Sequence, residues 1–148
     1  MRSHEKAYGV VPYKIKGNNI KILLCKSVAS KDKWGCLKGT KNKNETAHEC
    51  AKREFFEESS IKVEIEQFEE YFEQINIDKD IGVWLVNADK IENLDKYFND
   101  DTLKTSNLSW ENSKVKFFPL SSMPRIKNKQ VNLLKEITDF LKSKNLHH

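Results

Sequence analysis

The stretch from Gly39 to Ile61 concentrates acidic side chains at a spacing that could bind a divalent cation. Glu54, Glu57 and Glu58 fall at positions i, i+3 and i+4, which share one face of an α-helix. Clustered carboxylates repel one another unless a cation neutralises them, and Mg²⁺ or Mn²⁺ prefers oxygen ligands and bridges to substrate phosphates. The residue types therefore predict metal-dependent phosphate chemistry carried by one helix.

Two neighbouring residue types extend this acidic cluster. Arg53 precedes Glu57 by four residues and can pair with it, and it could also reach Glu45 at the start of the helix. Arginine is rare in this lysine-rich chain, so its presence among the glutamates indicates that guanidinium geometry matters there. Gly39 lets the backbone approach closely, so its carbonyl could supply one more oxygen ligand.

The whole pattern resembles the signature of the Nudix hydrolases, which reads G-x5-E-x7-R-E-U-x-E-E-x-G-U with U apolar. The chain matches it from Gly39 to Ile61 with one departure, because Ser60 stands where the family has glycine. The resemblance implies an α/β/α sandwich with a mixed sheet, and a loop–helix–loop that holds Mg²⁺ or Mn²⁺. It also implies a pyrophosphohydrolase that cleaves nucleoside diphosphates linked to another group.

The resemblance also suggests a role for each matching position. Glu54, Glu57 and Glu58 look like metal ligands, and one of them could act as the general base, although the sequence does not say which. Arg53 looks like the cation that orients the carboxylates, and Gly39 looks like the backbone ligand.

The Ser60 departure falls at the helix exit, where a left-handed conformation is common. A serine costs roughly 1 kcal/mol in that conformation but removes no ligand, so we expect altered stability or loop geometry rather than lost activity. A second departure is Leu37, which stands where many relatives have proline between Trp34 and Gly39. We expect this loop to be less rigid without the proline.

Four side chains outside the signature are further site candidates. Glu111 lies just ahead of a predicted strand, as does a metal ligand or base in relatives that act on dinucleoside polyphosphates or RNA 5′ ends. An ordinary loop glutamate is the alternative. Lys38 could touch a phosphate, and Arg125 and Lys127 could bind distal phosphates or an RNA backbone; solvated side chains are the alternative for all three. Base stacking would require an exposed aromatic residue, for which the candidates are Tyr8, Tyr13, Phe72 and Trp84, each more typical of a core.

Hydrophobic periodicity predicts the elements that must position these residues. Thr46 and Glu49 form a capping-box pattern, so the glutamate helix is predicted from Thr46 to Glu58. Two strands are predicted at 7–16 and 20–26, joined by a hairpin turn at Gly17. A further strand is predicted to start at Ile61, inside the segment 61–75. The last two strands are predicted at 82–86 and 115–118, and a final helix at 128–144. Residues 27–44 read as a polar loop, and 89–101 as a short helix or a charged loop. This order of elements favours one mixed α/β domain.

Composition sets the outer bounds on the function. The 148 residues suit one domain, predicted at 1–146, while His147 and His148 are either native or a tag remnant. The sequence contains no apolar run of membrane-spanning length and no signal-peptide pattern, so we expect a cytoplasmic protein without a membrane partner. The net charge of +4 permits a polyanionic substrate.

The sequence therefore predicts a Mg²⁺- or Mn²⁺-dependent hydrolase of pyrophosphate bonds that acts on a nucleotide or nucleotide derivative. Small size and the Glu111 context favour dinucleoside polyphosphates such as diadenosine tetraphosphate, or RNA 5′-triphosphate ends. The alternatives are a pyrophosphatase of ordinary or oxidised nucleoside triphosphates, a non-catalytic nucleotide-binding regulator and a purely structural domain. A monomer or a homodimer is expected.

Overall fold

A mixed β-sheet lies between two α-helices. Within residues 4–30 and 32–146, which the computed structural model describes, the sheet has eight strands. The elements are β1 (Glu5–Lys16), β2 (Asn19–Ser27), β3 (Leu37–Thr40), α1 (Ala47–Ser59), β4 (Tyr71–Gln74), β5 (Lys79–Asn87), β6 (Phe98–Asn99), β7 (Thr102–Leu103), β8 (Asn112–Pro119) and α2 (Val131–Leu146). The strand order is β4-β5-β1-β2-β8-β7-β6, and β3 pairs with the first half of β1. The predicted tag remnant, His147 and His148, lies outside the described residues.

Alternate residues of the central strands face opposite helices. In β2, Leu23 and Cys25 join the core cluster that contains Phe55 of α1, whereas Ile22 and Leu24 join the cluster on the other face. That second cluster is completed by residues of α2, namely Leu133, Leu134, Ile137 and Leu141. The two helices therefore cover the two faces of one sheet, which confirms the predicted α/β/α sandwich. No helix within the described ranges is long and apolar enough to cross a membrane.

Helix α1 has the predicted start and a left-handed exit. The Thr46 hydroxyl accepts a hydrogen bond from the Glu49 amide at 3.1 Å, and the Glu49 carboxylate accepts one from the Thr46 amide at 2.8 Å. This reciprocal pair is the predicted capping box. Ser60 follows the helix at φ 67° and ψ 8°, and its amide bonds to the Phe56 carbonyl at 2.8 Å. The left-handed exit therefore forms without the family glycine.

Strand β3 lies inside the segment predicted to be a polar loop. It pairs antiparallel with β1, so that Gly39 lies opposite Tyr8 and Lys38 lies opposite Gly9. A Cβ atom on Gly9 would overlap the Leu37 carbonyl, so glycine is required for the two strands to approach. The loop prediction for 27–44 was wrong at this point because the strand is short and polar, and its partner is distant in sequence.

The predicted strand starting at Ile61 was also wrong. Residues 61–64 form no regular structure, a 3-10 turn follows at Ile65–Gln67, and β4 starts only at Tyr71. Ile61 and Val63 are fully buried, so their alternation reflects core packing rather than strand pairing. The final helix likewise starts at Val131 after a 3-10 turn, and 89–101 contains another such turn and β6 rather than an α-helix.

Candidate active site

Arg53 joins the glutamates of α1 to the loop that precedes the helix. Its Nε and Nη2 atoms donate to the two carboxylate oxygens of Glu45 at 2.9 and 2.7 Å. Its Nη1 atom donates to Glu57 at 2.7 Å and to Glu54 at 3.0 Å. Arg53 therefore makes both of the pairings considered from the sequence, with Glu57 and with Glu45. The hydrogen bonds from Arg53 lower the pKa of Glu45 to about 2, so this forked contact is between charged groups.

Glu54 packs directly against the backbone of β3. A Cβ atom on Gly39 would overlap the Glu54 carboxylate, so glycine makes room for this side chain. The Gly39 carbonyl accepts a weak hydrogen bond from the Cys50 thiol at 3.4 Å. Burial raises the pKa of Glu54, and the positive charge of Arg53 limits the rise. The predicted backbone ligand and the first predicted carboxylate ligand are therefore in contact.

Glu58 has the most buried carboxylate of the cluster, with 8% of the residue exposed. Its Oε1 atom accepts a hydrogen bond from Asn112 Nδ2 at 3.0 Å, while its Oε2 atom is buried and has no hydrogen-bond partner among the described residues. Burial raises the pKa of Glu58 to about 7, and the Asn112 bond opposes the rise. An unpaired buried oxygen is costly unless a proton or a cation satisfies it.

These features fit a divalent cation. Glu58 offers an unsatisfied oxygen, and Gly39 leaves the space beside Glu54 that a side chain would fill. Within the described part of the chain, however, no three His, Cys, Asp or Glu side chains are already arranged as a metal site. The reason is visible in the geometry, because Arg53 Nη1 lies between the carboxylates of Glu54 and Glu57. The donor chemistry is therefore in place, and a cation would have to compete with the guanidinium for two of its ligands.

Glu111 lies on the surface close to this cluster. Its carbonyl accepts a hydrogen bond from the Val28 amide at 2.9 Å, which fixes the backbone just before β8. Its negative charge contributes to the raised pKa values of Glu54 and Glu58, after burial and the nearer partners of each group. The structure thus brings Glu111 within electrostatic range of the helix, and its role as a ligand or base stays a prediction.

The predicted phosphate-binding cations line one cavity of about 680 Å³. Lys38, Arg125 and Lys127 lie there together with three further lysines, Lys33, Lys79 and Lys129. Lys38 is the cavity residue that interacts with the carboxylates of α1. Burial lowers the pKa of Lys38, and the charge of Glu58 opposes that change. The positive charge of Lys38 in turn limits the rise of the Glu58 pKa, so the two groups lie within electrostatic range of each other.

Backbone pairing explains why these cations meet although they are distant in sequence. The Trp34 amide donates to the Arg125 carbonyl at 2.8 Å, and the Lys127 amide donates to the Trp34 carbonyl at 3.0 Å. The buried Gln130 side chain accepts from the Cys36 amide at 2.7 Å, which secures the entry to β3 against the start of α2. These bonds hold the 125–130 segment beside Lys38.

Sequence reasoning missed two residues near the carboxylates. Asn112 bonds to Glu58, although nothing in the sequence relates residues 54 positions apart. Trp110 is 85% exposed, whereas the stacking candidates Tyr13 and Trp84 are only 2% and 8% exposed. Tyr8 and Phe72 are also partly buried against the core clusters. The polar residues on both sides of Trp110 are the one signal that could have indicated its exposure.

A sequence model of the NUDIX domain matches residues 3–137, which include every site residue described above. The chain belongs to the Nudix family. It is therefore a pyrophosphohydrolase that acts on phosphorus-containing anhydrides, and hydrolases of this family generally use divalent metals such as Mg²⁺. No curated protein sequence matches the chain significantly.

Solved structures of Nudix proteins share the fold. An Ap4A hydrolase from C. elegans aligns with a TM-score of 0.64 and 24% identity, over 94% of this chain and 98% of that one. A mutT/nudix family protein from Listeria innocua aligns with a TM-score of 0.65 and 14% identity, over 99% and 100% of the two chains. An ADP-ribose pyrophosphatase from Streptococcus suis has a TM-score of 0.63 and 14% identity, over 95% and 93%. At these identities the likeness concerns the fold alone.

Proposed function

We propose that this Nudix hydrolase cleaves substrates with a long phosphate chain, either dinucleoside polyphosphates such as diadenosine tetraphosphate or RNA 5′-triphosphate ends. The observation that carries the proposal is the basic cavity, because one of its residues, Lys38, interacts electrostatically with Glu58 of the acidic helix. A long phosphate chain can place one anhydride at the carboxylates while its distal phosphates lie among the cations.

The charge balance of the cavity supports this substrate class. Among the residues that the structure describes, six cationic side chains and one acidic residue, Asp32, line it. Two of these lysines already pair with carboxylates, Lys79 with Glu5 and Lys129 with Asp78. A substrate with only two phosphates would present both at the acidic helix and would not reach the remaining cations. Three or four phosphates carry enough negative charge to engage Lys38, Arg125 and Lys127 as well.

We assign the metal to the carboxylates of Glu54, Glu57, Glu58 and Glu111, with the Gly39 carbonyl as a further ligand. When bound, Mg²⁺ or Mn²⁺ would neutralise the phosphates and make the attacked phosphorus more electrophilic. Arg53 orients Glu54 and Glu57, and Asn112 orients Glu58. Glu58 and Glu111 are the two candidates to take a proton from the attacking water. Glu58 is oriented by Asn112, and Glu111 has the greater access to solvent.

We assign base stacking to Trp110, the large exposed aromatic side chain beside Glu111. An indole with 85% of its surface exposed gains little from folding, so its position requires a reason other than the core. Stacking on an aromatic side chain contributes about 1–3 kcal/mol per base and tolerates different bases. A nucleoside joined to the phosphate chain would place its base near this loop.

The decisive experiment measures hydrolysis with Mg²⁺ across diadenosine tetraphosphate, 5′-triphosphate RNA, nucleoside triphosphates and ADP-ribose. We expect the first two to have the highest kcat/KM and Glu57→Gln to abolish most of the activity. The highest kcat/KM on nucleoside triphosphates would favour the triphosphate pyrophosphatase instead. Equal inactivity of wild type and Glu57→Gln on every substrate would reject an enzyme, and nucleotide binding without turnover would then indicate a regulator.

A further inference from the structure

Ser60 makes a contact that the family glycine could not make. Its hydroxyl donates a hydrogen bond to the Asn107 carbonyl at 3.1 Å, across 47 residues of sequence. The side chain is half-buried, and its backbone is held in the left-handed region at φ 67°. Glycine would adopt this backbone conformation without strain, whereas serine is strained in it but supplies a hydrogen-bond donor.

The residue that Ser60 contacts begins the segment 107–112, which carries Trp110 and Glu111. The far end of this segment is also held to α1, because the Asn112 side chain donates to Glu58 at 3.0 Å. Between the two ends, the Glu111 carbonyl accepts from the Val28 amide at 2.9 Å. The segment is therefore attached to the helix at both ends, and Ser60 provides one of the two attachments.

We infer that Ser60 is a positioning residue, which fixes the 107–112 segment against the exit of α1 and thereby places Glu111 beside Glu54 and Glu58. The inference rests on the role proposed for Glu111. Since the loop has no other side-chain bond to α1 and its exit than those of Ser60 and Asn112 among the described residues, loss of the Ser60 bond leaves the segment attached there only through Asn112. Ser60, the one residue that departs from the family signature, thus helps to position a residue of the proposed site.

Three substitutions separate this role from an effect on stability alone. Ser60→Gly removes both the hydroxyl and the strain of the left-handed backbone, whereas Ser60→Ala removes the hydroxyl and keeps that strain. Ser60→Asn keeps a side-chain hydrogen-bond donor, and asparagine tolerates the left-handed conformation. We expect kcat/KM to fall about two- to tenfold in the glycine and alanine variants alike, as one lost hydrogen bond predicts. The two should nevertheless differ in thermal stability, with glycine the more stable. The asparagine variant should recover activity.

Asp100→Gly is the matched control. Asp100 also has a left-handed backbone, at φ 55°, but it lies in the exposed turn between β6 and β7. Its replacement should raise stability without changing kcat/KM. This control shows what relief of left-handed strain does when no attachment to α1 is lost.

Hydrogen exchange of the backbone amides at 108–112 and Mn²⁺ affinity, both measured without substrate, complete the test. We expect faster exchange and weaker Mn²⁺ binding in Ser60→Gly and Ser60→Ala. Unchanged exchange in both variants would overturn the inference, and so would faster exchange with wild-type kcat/KM and Mn²⁺ affinity. If wild type turns over no substrate, the proposed function fails, whereas the exchange and Mn²⁺ measurements still decide whether Ser60 positions the segment.

Discussion

Glu58→Gln is expected to stabilise the metal-free protein at mildly alkaline pH and to leave it nearly unchanged at acidic pH. The wild-type carboxylate is buried, with one oxygen bonded to Asn112 and the other without a partner. Glutamine keeps the size of the side chain and can still accept the Asn112 bond, but it carries no charge. The substitution therefore removes the cost of a buried anion without opening a cavity.

The sign and the size of the effect follow from the pKa of Glu58. Burial raises it from 4.5 to about 7 in the folded protein, so the native state holds the proton more tightly than the unfolded chain does. The stabilisation from protonated Glu58 is therefore complete below about pH 4.5 and is lost as the pH rises through about 7. A shift of this size corresponds to about 3 kcal/mol of unfolding free energy, a large part of the total stability of a typical domain.

The assay is urea unfolding with a metal chelator, at about pH 5 and about pH 8, of wild type, Glu58→Gln and the exposed control Glu66→Gln. Acidic groups with lowered pKa values, such as Glu45, lose their contribution as the pH falls, but this contribution cancels when wild type and variant are compared at each pH. We expect Glu58→Gln to gain up to about 3 kcal/mol over wild type at the higher pH only. A difference that does not change with pH would refute the reasoning, because it would mean that burial does not hold a proton on Glu58. The control should show no pH-dependent gain.

The remaining predictions concern the parts of the site around Glu58. Arg53→Lys should lower the unfolding free energy by about 1–2 kcal/mol and lower kcat, because one ammonium cannot replace the fork to Glu45 and the contacts to two more glutamates. Urea unfolding measures the stability and steady-state kinetics measure kcat, and a fully active variant would contradict this prediction. Gly39→Ala should weaken Mn²⁺ binding at least about tenfold, since its Cβ would displace Glu54, whereas Gly17→Ala, in an open turn, should affect only stability. Lys127→Ala should raise KM for diadenosine tetraphosphate about threefold to tenfold at low salt, and the effect should shrink as salt is added; an equal effect on ADP-ribose would argue against a distal phosphate contact.

Local sequence was sufficient to predict the acidic helix. Thr46 and Glu49 cap its start, and the spacing of Glu54, Glu57 and Glu58 follows from helical geometry alone. Arg53 lies within one or two turns of its glutamate partners, so its pairings were open to prediction for the same reason. The fold class followed from the order of strong hydrophobic patterns, which the two core clusters confirm.

Contacts between distant segments could not be predicted in the same way. Strand β3 has only four residues and exists because β1 offers it an edge, so its polar sequence gave no strand signal. The alternation of apolar and polar residues from Ile61 was misleading, because it indicates which side chains are buried, and a segment outside any strand can bury them as well. The cations Lys38, Arg125 and Lys127 were individually predictable, but their common cavity depends on pairing of the Trp34 segment with the 125–127 segment.

Glu58 is the point where the local and the distant parts of the site meet. Its place on α1 is set by helical spacing, while the state of its carboxylate is set by burial and by the bond from Asn112 of β8. A helix with the same sequence outside this fold would present an ordinary exposed glutamate there, with a pKa near 4.5. The fold therefore adds the burial that leaves this carboxylate in need of a proton or a cation, and Ser60 and Asn112 are the side chains that join the 107–112 segment to the helix and its exit.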